Sequence, residues 1–125
     1  LLDQHMVPVF KNTSKNFFSL PNELFFLNIG HGVITVYAYL LYCEDRRTHQ
    51  CHPSYRTISD VVHLTVSTVM KHITKLADRQ FITVESTSYI DKRGMKWNGN
   101  NLYTILPIQM AMDYCYQQQL LRLEA

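Results

Sequence analysis

Residues 53–73 read Pro53-Ser54-Tyr55-Arg56-Thr57-Ile58-Ser59-Asp60-Val61-Val62-His63-Leu64-Thr65-Val66-Ser67-Thr68-Val69-Met70-Lys71-His72-Ile73, and this stretch decides the fold. Pro53-Ser54 is a helix start, because the serine hydroxyl can accept from the orphan N–H groups of a first turn. The helix it opens is short, with Ile58, Val61 and Val62 facing inward, and it must turn before Thr65. His63 occupies that turn. Left-handed backbone is often needed there, and His is among the residues other than glycine that are enriched in it. Thr65 then caps a second helix. At 100° per residue, Val66, Ile73 and Leu76 fall within about 60° of Val69 and form its buried stripe. The opposite side collects Ser67, Thr68, Lys71, Thr74 and Lys75, hydroxyl-rich and basic with no acid among them.

Upstream, Ile29, Val33, Val36, Tyr37, Leu40 and Leu41 recur at helical spacing, which predicts an amphipathic helix from about Gly32. The charged run Glu44-Asp45-Arg46-Arg47 marks its exit. Before it, Phe17, Phe18, Leu20, Leu24, Phe25, Phe26 and Leu27 crowd together, and their burial against that helix is expected. Residues 1–16 lack periodicity and read as an N-terminal arm. Downstream, Phe81 to Ser88 alternates, with Ile82 and Val84 on one face and Thr83 and Glu85 on the other, as a strand does. Leu102-Tyr103-Thr104-Ile105-Leu106 is its antiparallel partner. The connection Tyr89–Asn101 holds two turn signals, Asp91-Lys92-Arg93-Gly94 and Asn98-Gly99. Trp97 is expected to pack on this hairpin. Beyond Pro107, Ile108, Ala111, Met112, Cys115, Gln119 and Leu120 predict a C-terminal helix.

A helix, a short helix, a sharp turn, a capped helix with a polar basic face and a hairpin with a basic tip make a winged helix-turn-helix. The fold class is α+β, mainly α: a three-helix core and β-hairpin wing over residues 17–106, with a further helix over residues 107–125. Such a helix fits the major groove of B-DNA, which is about 12 Å wide, and its first residues reach base edges. Thr65, Ser67, Thr68 and Lys71 are then the groove readers. Arg56 and Lys75 fall on phosphates, and Lys92, Arg93 and Lys96 of the wing grip the adjacent backbone or minor groove. The expected partner is double-stranded DNA, bound by a homodimer whose C-terminal helices touch. The competing reading is a protein–protein interaction module that uses the same faces without DNA.

The stretch 53–73 also resembles the helix-turn-helix of GntR-type bacterial regulators, where Pro-Ser opens the second helix and a Val-Ser-Arg-Thr-Thr-Val-Arg-like string opens the recognition helix. Arg56 matches a basic position of that family, and Thr65, Ser67 and Thr68 match polar DNA-contacting ones. Val66 and Met70 depart from it, standing where the family usually has arginines. Over about residues 17–106, Phe17-Phe18-Ser19-Leu20-Pro21-Asn22-Glu23-Leu24-Phe25, Val36-Tyr37-Ala38-Tyr39-Leu40-Leu41 and Leu76-Ala77-Asp78-Arg79-Gln80-Phe81-Ile82 flank the helix-turn-helix in a familiar order. This order resembles the N-terminal domain of RepA-type and DnaD-like replication initiators of Firmicute plasmids, phages and mobile elements. The resemblance implies a winged helix that recognises an origin or operator, often as a dimer, and it lends no catalytic residue.

Bulk properties agree with these readings. The length of 125 residues suits one domain, and 46% hydrophobic content is ordinary for a globular chain. The formal charge is only +2, but it is unevenly spread: residues 54–99 hold seven Lys/Arg against four Asp/Glu. His63 and His72 could add to that excess at lower pH. The longest apolar stretch, Val33 to Cys43, is interrupted by Thr35 and falls short of the roughly 20 residues of a membrane span. No signal-peptide pattern opens the chain, which starts on Leu1 as a fragment of a longer protein would. Three cysteines, Cys43, Cys51 and Cys115, argue against a disulfide framework and for a reducing, cytoplasmic setting. Cys43, His49, Cys51 and His52 do not match zinc-ligand spacing, so no metal is expected. No catalytic fingerprint is present, so neither an enzyme nor a cofactor is expected, and no small-molecule effector is identifiable.

Overall fold

Helix α1 (His31–Cys43) starts behind Gly30, whose φ of +88° suits glycine, and buries Val33, Val36, Tyr37 and Leu40. It lies across α2 (Tyr55–Val62), which buries Ile58, and α3 (Val66–Asp78), which buries Val69, Ile73 and Leu76. The approach of α1 to α3 is close at Gly32, where an added Cβ would stand 2.6 Å from His72 Nε2. A computed structural model describes residues 17–124 in this way, and the expected arm over residues 1–16 lies outside the described residues.

A small antiparallel sheet closes the core. Its order is β1 (Gln50–Cys51), β5 (Leu102–Ile105), β2 (Ile82–Glu85), with Cys51 opposite Tyr103 and Ile82 opposite Ile105. Phe81 and Tyr37 meet edge to face at 5.3 Å, joining the sheet's end to α1. The Cys51 thiol donates to the Leu40 carbonyl at 3.6 Å. Burial, with Cys43 and Glu44 nearby, pushes that thiol up to about 12. Helix α4 (Ile108–Glu124) follows the sheet and buries only Ala111 fully. The element order and packing are those of a mainly helical α+β winged helix-turn-helix with an added C-terminal helix.

Several expectations need correction. The strand predicted over Phe81–Ser88 is two strands, β2 and then β3 (Ser88–Ile90), and β3 pairs with β4 (Lys96–Asn98) in a separate ribbon. The long connection between β2 and β5 is therefore itself a hairpin, because Thr87 binds across to Gly99 N–H and to the Asn100 carbonyl and pinches its base. Strand β1 was not foreseen at all. Val61 is exposed, since Ile58 takes the inward direction of a helix only eight residues long. Of the apolar run before α1, Leu24 and Leu27 are buried while Phe17, Phe25 and Phe26 stand in solvent. Residues 22–26 form a 3-10 helix with three residues per turn, so positions 24 and 27 share the inner side and the phenylalanines between them cannot.

Candidate nucleic-acid interface

Each helix of the pair is fixed at its start by its own sequence. The Ser54 hydroxyl accepts from Thr57 N–H at 3.0 Å, and the Thr65 hydroxyl accepts from Thr68 N–H at 3.3 Å. Between them His63 is left-handed, with φ 58° and ψ 39°, as the turn requires. Leu64 N–H reaches the Ser59 carbonyl at 3.3 Å, and the Ser59 hydroxyl donates to the Leu64 carbonyl at 2.5 Å. The angle between α2 and α3 is thus set locally, before any long-range packing.

On α3 the exposed positions are Ser67, Met70, Lys71, Thr74 and Asp78, spaced as one stripe. This stripe is turned from the one read in the sequence. Thr68 and Lys75 lie half-buried at its flank, and Met70, 46% exposed, lies within it. The Thr65 hydroxyl also meets Ser67 Oγ at 3.2 Å and Thr68 Oγ1 at 2.9 Å, so it serves the helix start. Thr74 returns its hydroxyl to the Met70 carbonyl at 3.0 Å. Lys71 has no ion pair among the described residues. No acid stands in the first turn of α3, so the partial positive charge of its N-terminus is unopposed.

The remaining cations divide into held and open groups. Lys75 Nζ donates to the Ile29 carbonyl and Arg79 Nη1 to the Asn28 carbonyl, both at 3.1 Å. These two bonds tie the second half of α3 to the chain entering α1. Arg56 pairs with Asp60 at 3.5 Å on the exposed side of α2. His72 is packed between α1 and α3, and burial, helped by Lys75 and His31, lowers its pKa. Its contribution of positive charge is therefore displaced to more acid conditions.

The wing is organised by one carboxylate. Asp91 accepts from Trp97 Nε1 at 2.9 Å, from Met95 N–H at 3.0 Å and from Arg93 N–H at 2.9 Å, with Arg93 Nη2 at 3.4 Å. The indole and backbone bonds hold its carboxyl below the usual carboxylate range. Gly94, with φ of +82°, completes the turn. Lys92 and Lys96 have no acid partner among the described residues, whereas Arg93 is partly occupied by Asp91. Trp97 lies on the hairpin with its indole on Asp91 and is 47% exposed. The base of the wing is fastened to the start of α2 by Asn100 Nδ2 on the His52 carbonyl at 3.2 Å and by Asn101 Nδ2 on Tyr55 Oη at 2.8 Å. Met70, Asp91 and these two asparagines are not among the contact residues expected from the sequence. Only Asp91 carried a usable signal, as the first residue of an Asp-Lys-Arg-Gly turn.

Elsewhere, His49 Nδ1 lies 3.1 Å from Glu44 Oε2. Among the described residues no cluster of three or more His, Cys, Asp or Glu side chains is placed to hold a metal ion. No helix among them is long and apolar enough to cross a membrane.

No curated protein matches the sequence. Among solved structures, one described as "Possible transcriptional regulator from Methanosarcina mazei Go1" is similar, with a TM-score of 0.50 and 21% identity, over 78% of this chain and 76% of that one. Residues 27–82, which hold α1, α2 and α3, match the model of a family described as a helix-turn-helix domain.

Proposed function

We propose that this chain binds double-stranded DNA through α3 and regulates transcription. The exposed stripe of α3 carries the reading: it follows a capped, locally fixed turn, and its first two turns present hydroxyl, amine and methyl groups without an acid. Set in the major groove, Ser67 and Lys71 address base edges, and Met70 offers apolar contact to a thymine methyl. Thr65 and Thr68 keep the helix start in place, close to a phosphate. Arg56, Lys92, Arg93 and Lys96 fall on the backbone, while Lys75 positions α3 against Ile29. The regulatory role is the one named for the similar Methanosarcina mazei structure. Action as a replication initiator rests on sequence resemblance alone. Selection from a random duplex library tests the proposal: enrichment of a defined motif supports it, and its genomic position separates operator from origin.

The exposed stripe carries one lysine, Lys71, without an ion pair among the described residues, so two copies on one site would add to its contacts. The face of α4 made by Met112, Tyr116, Leu120 and Leu123, with Phe26 beside it, supplies a contact for a second copy. Leu123 is 82% exposed and Phe26 is 85% exposed. Sedimentation equilibrium is expected to show a dimer that the double substitution Leu120→Glu, Leu123→Glu converts to a monomer. A wild-type monomer at high concentration contradicts it.

Met70 in the stripe and the single unpaired lysine favour a second reading, a face for a protein partner. Failure to retain any of a random duplex pool at low salt selects that reading instead.

A further inference from the structure

The β3–β4 ribbon has a composition that duplex binding does not use up. Every residue of its two strands is exposed, and among the described residues no third strand or helix covers either side. Tyr89 and Trp97 stand opposite each other across the ribbon, so both rings emerge on the same face. They are 57% and 47% exposed, and Met95 adjoins them on that face. The Trp97 indole is held in place on this ribbon by a bond of its own. Asp91 fixes the indole by its N–H and fixes the turn by two backbone N–H groups. Lys92 stands in the turn two residues on from Ile90, while Lys96, paired with Ile90, emerges on the face opposite the rings; neither has an acid partner among the described residues.

We infer that the wing is a base-stacking contact for single-stranded DNA, with Trp97 and Tyr89 taking unpaired bases and Lys92 of the turn an adjoining phosphate. Planar apolar surface beside an unpaired cation matches a strand whose bases are unstacked and whose backbone is anionic. An uncharged apolar partner would leave Lys92 unused, and an intact duplex would hide the base faces that the rings need. The contact needs nothing from α3, and Lys92 is what it shares with the duplex reading, so Lys71 and the aromatic pair are the residues that separate the two.

Trp97 is the only tryptophan of the chain, so its fluorescence reports the contact directly. The whole chain is titrated with a twelve-base oligo-dT strand and, separately, with a blunt duplex, at low salt. The single strand is expected to quench Trp97. Tyr89→Ala is expected to weaken binding of labelled oligo-dT by about 5- to 100-fold. Lys92→Ala should weaken it while leaving the ribbon's aromatic pair in place, and Lys71→Ala should leave it unchanged. Circular dichroism of each variant confirms that the fold is retained. Unchanged Trp97 emission with oligo-dT overturns the inference, as does quenching by the duplex alone. Loss of oligo-dT binding on Lys71→Ala also overturns it, because α3 is then the site. Quenching by oligo-dT in a chain that ignores duplex supports the wing contact and removes the duplex reading.

Discussion

Replacing Thr65 with alanine or with aspartate separates its two expected effects. Alanine removes the acceptor that Thr68 N–H uses at 3.3 Å, leaving an orphan donor at the start of α3. Loss of such a cap costs about 1 kcal/mol, which lowers the melting temperature of a domain this size by about 4 °C. Aspartate restores the acceptor and sets a negative charge against the helix dipole, which adds roughly 0.3–1 kcal/mol of its own. Thr65→Asp should therefore melt at or above the wild type. Its effect on DNA is the reverse. A carboxylate about 5 Å from a phosphate is repelled by about 1 kcal/mol even in bulk water and by more in a partly desolvated contact. Duplex affinity should drop by about fivefold or more. Thermal melts followed by circular dichroism and titrations of a labelled duplex measure the two quantities on the same samples. Aspartate binding as tightly as threonine refutes the placement of the α3 start beside a phosphate. Aspartate melting below alanine refutes the cap.

Two further predictions concern the core. Leu76 is fully buried where α3 meets the rest of the cluster, so Leu76→Ala should cost about 2–5 kcal/mol in urea unfolding, and a smaller loss means that the site collapses around the deletion. His72 has a lowered pKa, so protonation favours the unfolded chain, and stability that is complete above about pH 6.5 is lost as pH falls toward the native value. His72→Gln should flatten that fall in urea midpoints, whereas parallel pH profiles for the two proteins contradict it.

The parts of the fold legible in the sequence are those whose causes are local. Ser54, His63 and Thr65 each act within a few residues, and the structure finds both caps and the left-handed turn at those positions. Periodicity also placed α1 and α3, since each buries a regular apolar stripe. What escaped depends on distant partners. Strand β1 has two residues and exists only because β5 pairs with it, so no pattern of its own announces it. Lys75 has the composition of a DNA contact, yet it bonds Ile29, a partner 46 positions away. The wing ribbon depends on Thr87 meeting Gly99 and Asn100 across the hairpin, a pairing that alternation alone does not reveal. The exposed stripe takes in Met70 and leaves Lys75 half-buried at its flank, where it bonds the Ile29 carbonyl, a partner that a helical wheel does not contain.

The central claim is that α3 meets DNA with Lys71 on its open face. Duplex affinity is measured for the wild type and for Lys71→Ala between about 50 and 200 mM salt, where counterion release makes log Kobs linear in log salt. The expected result is measurable wild-type binding that weakens with salt, and a variant with lower affinity and a slope shallower by about 0.9 where Lys71 meets a phosphate. No wild-type binding at low salt, or a variant whose affinity and slope both equal those of the wild type, contradicts it.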